Sequence, residues 1–264
     1  MDIRKVAVIG GGTMGNGIAH VFAMSGYPVT LIETRQEFAD RALATIDRNL
    51  ERMVNKEKIT ADKKSETLAN ISVNLDLSAG VKDADLIVEA VPENLNIKRS
   101  VWETVDANAS EQAIFASNTS SISITKLAAL TGRPEKFIGM HFFNPVPVMR
   151  LVEVVRGLDT SDETYEAVRS TSESLGKVPV PVNDMPGFVS NRVLMPMINE
   201  AVFAVYEGVA TPENVDEVMK LGMAHPMGPL RLADFIGLDV CLDILNVLYE
   251  GFKDPKYRPC PLLI

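Results

Sequence analysis

A glycine-rich turn between a short apolar run and a helical segment constrains the fold of this 264-residue chain more than any other feature. Val6–Ile9 is a continuous apolar run, typical of a strand that is buried on both faces. Gly10, Gly12 and Gly15 follow it in the spacing G-x-G-x-x-G, and residues 13–25 then have helical apolar spacing. In this context the first glycine permits a tight turn, the second lets a pyrophosphate approach the backbone, and the third lets helix and strand pack closely. The start of the helix offers unpaired N–H groups to the phosphates.

An acidic residue stands where a dinucleotide would need one. Glu33 follows the second apolar run, Val29–Ile32, and comes 18 residues after Gly15. A carboxylate there can hydrogen-bond the adenosine ribose and repels a 2′-phosphate, so the pattern favours NAD over NADP, although Arg35 weakens that preference. A glycine-rich turn without a ligand is the alternative. The residues of the turn predicted to bind the cofactor are Gly10, Gly12, Thr13, Met14 and Gly15.

Strand-like apolar runs alternate with helical segments up to residue 182. The further runs cover residues 71–73, 86–88, 113–116, 137–140, 151–155 and 178–182. Helical spacing covers residues 36–56, 95–108 and 162–175. Such alternation predicts an α/β fold, with an open, mainly parallel Rossmann-type sheet joined by right-handed crossovers.

The pattern changes after residue 182, where no strand-like run remains. Three helices are predicted there, over residues 188–206, 212–221 and 229–248. Prolines near residue 180 mark a hinge or linker. We therefore predict an NAD-binding Rossmann domain over residues 1–182 and a smaller, all-α domain over residues 183–264.

The first helix of the smaller domain is apolar nearly all round between residues 193 and 203. A helix of this kind must be covered, because it cannot face water on any side. Either the first domain or a partner subunit can cover it. We expect a homodimer through the C-terminal helices, and we expect the same domain to contribute to the substrate cleft.

Charge and cysteine content exclude several classes of protein. With 26 Lys and Arg against 35 Asp and Glu, the net charge is −9, which argues against binding nucleic acid by neutralising phosphates. Cys241 and Cys260 cannot build a disulfide scaffold or a zinc site, so we expect inert thiols and no metal. No apolar run approaches the ~18 residues that span a bilayer. Because the N-terminus has no signal or transit pattern, we expect a cytoplasmic protein with no membrane partner.

One of the three histidines is placed for chemistry. His141 follows the run over residues 137–140, at the end of a strand, where ligands bind in open α/β sheets. It could exchange a proton with a substrate hydroxyl, although a buried structural histidine fits the residues equally well. His20, in the middle of the first helix, is predicted to be a packing or surface residue.

A carboxylate follows His141 after 12 residues. Glu153 lies among four aliphatic residues, where an unpaired charge is costly to bury. If its strand returns beside His141, Glu153 would fix the tautomer of the imidazole and stabilise the imidazolium. A surface charge on an edge strand is the alternative.

Four motifs occur in order: GGGTMGNGIA over residues 10–19, ASNTSS over 116–121, HFFNP over 141–145 and PGFVSNR over 186–192. With this set, the chain resembles the L-3-hydroxyacyl-CoA dehydrogenases over essentially its whole length, and most of all the monofunctional 3-hydroxybutyryl-CoA dehydrogenases of bacteria. The resemblance implies NAD-dependent hydride transfer between C3 of a short-chain 3-hydroxyacyl-CoA and C4 of the nicotinamide. It also implies a place in fatty-acid or butanoate metabolism.

The resemblance assigns roles to individual side chains. His141 stands at the family's catalytic histidine and Glu153 at its carboxylate partner. Ser120 and Asn191 match the polar residues that hold the substrate oxygen and position the histidine. These four residues form the catalytic set that the resemblance implies.

Further family positions concern the cofactor and coenzyme A. The residues that match positions contacting NAD, besides the glycine turn and Glu33, are Glu93, Lys98, Ser120 and Asn144. Lys56 matches a basic position that contacts CoA, and Asn49 stands where the family has a serine for the same purpose. Glu33 replaces the family's usual aspartate on the adenosine ribose. Family members continue with a short glycine-rich segment, whereas this sequence stops at Ile264, so the contacts of that segment are assigned to no residue.

Two other functions stay open. A dehydrogenase of a free hydroxy acid, of the gulonate or carnitine type, would keep the glycine turn and a histidine but need no CoA site. Basic residues after the second helix favour the CoA ester, although interleaved acidic residues dilute them and a solvated helix end is the simpler interpretation; they are Arg52, Lys56, Lys58, Lys63 and Lys64. A non-enzymatic NAD-binding protein, as some lens crystallins are, would tolerate the loss of His141 or Glu153, and both are present.

Overall fold

The computed structural model describes residues 2–264, which divide into two compact units, one ending at Asp184 and the other running from Met185 to Ile264. Within these residues, the first unit contains one sheet of eight strands. The strands are β1 Val6–Ile9, β2 Val29–Ile32, β3 Ile71–Asn74, β4 Leu86–Glu89, β5 Ile114–Ser117, β6 Phe137–Phe142, β7 Leu151–Arg156 and β8 Val178–Asn183. Every predicted run forms a strand, with ends that differ by at most two residues.

The strand order places the ligand-binding edge. The order is β3-β2-β1-β4-β5-β6-β7-β8, and the first six strands are parallel. The predicted Rossmann-type sheet is therefore confirmed, with its change of direction between β1 and β4. β7 then runs antiparallel to β6, and β8 runs parallel to β7. The carboxyl ends of β1, β4, β5 and β6 meet at one edge, from which the turns of the candidate site project.

The last strand explains the prolines near residue 180. Pro179 and Pro181, predicted to mark a hinge or linker, lie inside β8, which pairs with β7 alone. Proline has no N–H to donate, so it is tolerated on an edge strand. Because β8 covers the outer side of β7, Glu153 lies on an internal strand, and the alternative of a surface charge on an edge strand is wrong.

Seven helices of the described residues flank the sheet. They are α1 Thr13–Met24, α2 Gln36–Asn55, α3 Ala61–Ala69, α4 Leu77–Gly80, α5 Leu95–Asn108, α6 Ile124–Ala128 and α7 Asp162–Ser174. The four longest match the predicted helical segments. The other three were not predicted, because four to nine residues are too few for a helical period to be recognised.

Both faces of the sheet are covered by apolar side chains. Val6 and Val8 belong to a core that also holds Ile18 and Phe22 of α1. On neighbouring positions of β5 and β6, Phe115 and Phe137 pack around Trp102 of α5, with ring centroids 5.3 and 4.7 Å from the indole. Successive side chains of a strand point to opposite faces of the sheet, and both faces are buried. The strands are therefore apolar throughout and do not alternate between apolar and polar residues.

The second unit is helical. Its helices are α8 Ser190–Tyr206, α9 Pro212–Gly222, α10 Pro229–Ile236 and α11 Leu238–Phe252. The prediction of one helix over residues 229–248 is wrong, because Gly237 breaks it with a φ of +108°. Only glycine adopts that conformation readily, so the chain turns there between α10 and α11. Met195, Ile198 and Val202 of α8 pack with Leu245 in the core of this unit.

The cysteines and the helix lengths bear on the remaining expectations. Cys241 and Cys260 are free thiols, both buried in the core of the second unit. Within residues 2–264, no helix is long and apolar enough to cross a membrane. The same residues contain no group of three or more His, Cys, Asp or Glu side chains arranged to hold a metal ion.

Candidate active site

The glycine turn after β1 has the space that each glycine was predicted to provide. Gly10 has a φ of +91°, and a Cβ on it would lie 2.8 Å from the carbonyl oxygen of Ala90. A Cβ on Gly15 would lie 1.7 Å from the carbonyl oxygen of Gly10, so only glycine fits where α1 crosses the turn. Around Gly12, by contrast, no described atom lies within 4 Å of an added Cβ. The backbone at Gly12 is therefore open to a ligand, whereas the other two positions are closed by the protein itself.

The start of α1 fits a dinucleotide phosphate. Its N-cap residue is Gly12, and no side chain caps the helix. The first N–H groups of a helix lack carbonyl partners within it and carry a partial positive charge, which suits an anion. The open position at Gly12 and the uncapped helix start, which holds Thr13 and Met14, are therefore suited to the pyrophosphate of NAD.

Glu33 is held against the same turn. Its Oε1 atom accepts a hydrogen bond of 2.6 Å from the N–H of Gly11, and its Oε2 atom accepts one of 3.1 Å from Thr34. The carboxylate thus lies beside the glycine turn, where the ribose of a dinucleotide would need it. Arg35 is exposed and forms an ion pair with Glu37 at 3.5 Å. The acidic side chain, and not the arginine, is the charge fixed to the turn.

His141 and Glu153 meet across the antiparallel strands β6 and β7. They are direct partners in the register of the pair, so their side chains extend from the same face. His141 Nδ1 lies 2.8 Å from Glu153 Oε2, and the two side chains are 10% and 3% exposed. The ring of Phe143 lies against the imidazole, with centroids 4.6 Å apart. A carboxylate at Nδ1 fixes the tautomer and leaves proton exchange with a substrate to Nε2.

Ser120 lies in the loop between β5 and α6, which we call the Ser120 loop (residues 118–123). Glu93 Oε1 accepts hydrogen bonds from the hydroxyl of Thr119 and from the N–H groups of Ser120 and Ser121, at 3.2 and 3.1 Å for the two amides. The hydroxyl of Ser121 adds a bond of 2.8 Å. One carboxylate oxygen therefore organises the first half of the loop.

The charge of Glu93 is supported by its surroundings. Burial alone would raise the pKa of its carboxyl. The ammonium of Lys98 and the hydroxyls of Thr119 and Ser121 lower the pKa by more than burial raises it, so the pKa lies below its usual value. Lys98 Nζ lies 3.2 Å from Glu93 Oε2. Glu93 is thus ionised at neutral pH and can accept the hydrogen bonds from Thr119, Ser120 and Ser121.

Lys98 has a second carboxylate partner, Glu89, which the sequence did not predict. The ammonium of Lys98 lies 2.6 Å from Glu89 Oε1, and both side chains are almost fully buried. Glu89 also accepts hydrogen bonds from the N–H of Val91 and from the hydroxyl of Ser117. The missed signal was a carboxylate at the end of a fully apolar strand, the same signal that identified Glu153. A buried carboxylate of this kind needs a cation and several donors.

Two further predicted residues, Asn144 and Asn191, lie in different units of the chain. Asn144 is exposed and follows β6, close in sequence to His141. Asn118, which was not predicted, accepts a hydrogen bond of 2.9 Å from the N–H of Phe142 and so holds the end of the strand that carries His141. Asn191 is buried near the start of α8, in the second unit, whereas the other catalytic candidates belong to the first.

The residues predicted to contact CoA lie on α2 and at its end. Asn49 is half-buried on the helix and Lys56, its C-cap residue, is exposed. Two of the neighbouring basic residues are neutralised by carboxylates. Lys64 lies 2.8 Å from Asp47 and 2.7 Å from Glu51, and Lys63 pairs with Glu66. The positive charge predicted for this region is therefore smaller than the sequence suggested.

Known proteins of one enzyme family match this chain over nearly its whole length. Residues 5–185 match the family model of the 3-hydroxyacyl-CoA dehydrogenase NAD-binding domain, and residues 187–264 match that of the C-terminal domain. A probable 3-hydroxybutyryl-CoA dehydrogenase of Bacillus subtilis is 52% identical over 263 residues, which cover 100% of this chain and 91% of that protein. The mitochondrial hydroxyacyl-coenzyme A dehydrogenase of Rattus norvegicus is 42% identical, over 98% of this chain and 84% of the rat protein.

A solved structure agrees equally well. The (S)-3-hydroxybutyryl-CoA dehydrogenase from Ralstonia eutropha superposes with a TM-score of 0.97 at 50% identity, covering 99% of this chain and 92% of that one. The glycine turn fits the cofactor that the matched NAD-binding domain is named for. The chain therefore belongs to the 3-hydroxyacyl-CoA dehydrogenase family and is an NAD-dependent oxidoreductase of that family.

Proposed function

We propose that the preferred substrate pair is the short-chain one, L-3-hydroxybutyryl-CoA and acetoacetyl-CoA. The observation that carries the chemistry is the buried pair of His141 and Glu153, joined at 2.8 Å at the carboxyl end of β6. The names of the relatives that are 50–54% identical support the four-carbon acyl chain. These proteins are described as 3-hydroxybutyryl-CoA dehydrogenases.

His141 moves the proton of the reaction. In the oxidative direction, Nε2 of His141 accepts the proton of the C3 hydroxyl as the C3–O bond becomes a carbonyl. Glu153 accepts the hydrogen bond from Nδ1 and stabilises the imidazolium that forms. Bound NAD supplies the hydride acceptor for the hydrogen that leaves C3. In the reductive direction, the same imidazolium returns its proton to the substrate oxygen.

Other side chains hold the reactants. The hydroxyl of Ser120 and the amide of Asn191 hold the substrate oxygen and keep the histidine in position. NAD is held by the glycine turn with Thr13 and Met14, by Glu33 at the ribose, and by a set near the nicotinamide that comprises Glu93, Lys98, Ser120 and Asn144. Asn49 on α2 and Lys56 at its C-cap contact CoA, with the exposed ammonium of Lys56 facing a phosphate.

The test compares an ester with a free acid. Purified protein is given NADH with either acetoacetyl-CoA or acetoacetate, and NADH oxidation is followed at 340 nm. The proposal expects turnover of the ester and little turnover of the acid, with Lys56→Ala raising KM for the ester alone. Equal kcat/KM for the two substrates would instead indicate a dehydrogenase of free hydroxy acids.

The second domain, residues 183–264, is proposed to form a homodimer and to contribute to the substrate cleft. Support comes from large apolar side chains that the single chain leaves exposed, among them Val193, Val209, Val218, Leu221 and Phe235. Exposed apolar groups of this number are typical of an obligate interface. Sedimentation equilibrium at micromolar concentration should give twice the mass of 28.8 kDa, and a stable monomer would contradict the proposal.

The proposed cellular setting is supported by the bacterial relatives of the chain. We place the enzyme in the cytoplasm, acting in fatty-acid or butanoate metabolism. Fractionation of the producing cell, with the protein followed by antibody, tests the location.

A further inference from the structure

The Ser120 loop is fastened by a carboxylate at each end. Glu93 binds its first half, through Thr119, Ser120 and Ser121, as described above. The second half runs into α6 and meets Asp184, a residue to which neither the motifs nor the family comparison assigned a role. Asp184 is the last residue of the first unit and follows β8 directly.

The carboxylate of Asp184 makes three hydrogen bonds to consecutive residues. Its Oδ2 atom accepts one of 2.7 Å from the hydroxyl of Ser123 and one of 2.8 Å from the N–H of Thr125. Its Oδ1 atom accepts one of 3.0 Å from the N–H of Ile124. Both carboxylate oxygens therefore accept hydrogen bonds from the junction between the loop and α6. A side chain with fewer acceptor oxygens cannot form all three bonds.

Asp184 is itself fixed to the sheet. Its N–H donates to the carbonyl oxygen of Arg156, the last residue of β7, at 3.1 Å. The strand that contains Arg156 also carries Glu153, the partner of His141. The sheet that positions the histidine therefore also positions, through Asp184, the end of the loop that carries Ser120.

The loop has no regular secondary structure of its own. Residues 118–123 form neither helix nor strand, so their conformation depends on side-chain hydrogen bonds. Ser120 donates its own N–H to Glu93, and it lies three residues before Ser123, where the Asp184 contacts begin. A displacement of a substrate-holding group by about 1 Å can cost about 10²-fold in rate.

We propose that Asp184 is a positioning residue for the dehydrogenase reaction, which acts by fixing the Ser120 loop so that the hydroxyl of Ser120 meets the substrate oxygen. The proposal rests on the proposed function, because it requires that Ser120 holds that oxygen. Asp184 does not touch the substrate. Its effect passes entirely through the loop.

A double-mutant cycle tests the proposal. Ser120→Ala, Asp184→Ala and the double variant are compared for kcat and KM with acetoacetyl-CoA, for the Kd of NADH, and for Tm. Asp184→Ala is expected to lower kcat/KM about 10–100-fold, and it should change the Kd of NADH no more than Ser120→Ala does, because Ser120 is also proposed to contact NAD. In the Ser120→Ala background, the same change should cost less than about threefold, because no hydroxyl remains to be misplaced.

A matched control separates positioning from stability. Asp76 is an aspartate of the same unit that caps α4 by accepting a hydrogen bond from the N–H of Ala79. Asp76→Ala removes a carboxylate that accepts a hydrogen bond from the first turn of a helix, as Asp184→Ala does, and it should lower Tm without changing kcat/KM. If Asp184→Ala fails to fold, Asp184→Asn and Ser123→Ala each remove only part of the contacts and are expected to lower kcat/KM by a smaller factor.

The outcomes distinguish the two claims. If Ser120→Ala leaves kcat/KM unchanged, the assigned role of Ser120 is wrong, and the role of Asp184 falls with it. Ser120 keeps its role if Ser120→Ala lowers kcat/KM. Asp184 is then only a structural residue of the loop–α6 junction if the loss from Asp184→Ala multiplies with that of Ser120→Ala, or if it is no greater than the loss from Asp76→Ala. A non-multiplying loss, with a Kd of NADH no more altered than in Ser120→Ala, supports the proposal.

Discussion

Two histidines of the first unit are buried, but their surroundings differ. The exposed fraction of the whole residue is 0% for His20 and 8% for His141. His141 faces a carboxylate across the β6–β7 pair, and its Nδ1 atom lies 2.8 Å from Glu153 Oε2. Neither ring nitrogen of His20, in α1, has a hydrogen-bond partner among residues 2–264. Burial is therefore common to both, and the acidic partner belongs to one of them alone.

The difference shows what a proton-transferring histidine requires. Burial, followed by the charge of Lys177, lowers the pKa of His20 to about 4, so that its ring stays neutral and serves as a packing group. The choice left open by the sequence, between packing and surface, is thereby decided. At His141, the carboxylate offsets the cost of forming a buried cation. Proton exchange needs this partner, which burial alone does not provide.

The largest expected effect comes from exchanging the histidines for glutamine one at a time. His141→Gln removes the proton acceptor and should lower kcat by about 10²–10⁴-fold, the usual contribution of a positioned acid–base group. The Kd of NADH should change little, because the glycine turn follows a different strand. His20→Gln is the matched control and should leave kcat near that of the wild type. A normal kcat in His141→Gln, with a deuterium isotope effect showing that hydride transfer limits turnover, would contradict the mechanism.

The second effect is on stability in acid. His20 has a pKa of about 4 in the folded chain and an ordinary value near 6.5 when unfolded, so the unfolded state binds its proton first. The contribution of His20 to the free energy of unfolding is fully present above pH 6.5. It is lost as the pH falls towards 4, by about 3 kcal/mol in total.

Unfolding in urea at several pH values between 4.5 and 7.5 measures this loss. Carboxylates titrate in the same range, so the quantity to compare is the difference between wild type and His20→Gln at each pH. That difference should shift in favour of the variant as the pH falls, because glutamine has no proton to bind. Parallel curves for the two proteins would mean that His20 binds its proton at the same pH in the folded and the unfolded state.

The sequence predicted one of the two buried ion pairs of the site and missed the other. Glu153 stood out because it interrupts an aliphatic run, and a returning strand brings it to His141 over a short loop. Glu89 gave a similar signal, but its partner Lys98 lies on a helix, where a lysine is ordinarily assumed to reach solvent. A long side chain that folds back into the protein leaves no periodic pattern to recognise.

The same distinction applies to the fold. The apolar runs predicted the strands of the sheet, since burial on both faces determines their composition. The break between α10 and α11 could not be predicted, because the helical spacing of apolar residues continues across Gly237. Only the structure shows that this glycine has a positive φ. The role of Asp184 was equally hidden, because its three donors lie about 60 residues earlier in the chain.

A smaller effect is expected at the carboxylate partner of His141. Glu153→Gln keeps the size of the side chain and an oxygen acceptor for Nδ1, but removes the charge that stabilises the imidazolium. A hydrogen bond to a charged group contributes about 1.5–3 kcal/mol, so kcat should fall about 10–100-fold. Once His141 is glutamine, no imidazolium forms, and Glu153→Gln should then cost almost nothing further. Losses in kcat that multiply in the double variant would show that the two residues act separately.

The smallest effect concerns Lys177, the second cause of the low pKa of His20. Its ammonium is nearly buried and donates to the carbonyl oxygens of Val146 and Met149. Lys177→Met keeps an unbranched side chain but removes the charge, so the pKa of His20 should rise from about 4. It should remain below 6.5, because burial, the larger cause, is unchanged.

Proton NMR can follow this titration directly, since the chain has only three histidines and His20→Gln identifies the signal by its loss. The midpoint of the His20 Cε1–H shift is measured from about pH 3 to 8 in wild type and in Lys177→Met. An unchanged midpoint would show that burial acts alone. A midpoint that rises fully to 6.5 would show that the charge of Lys177, and not burial, lowers the pKa of His20.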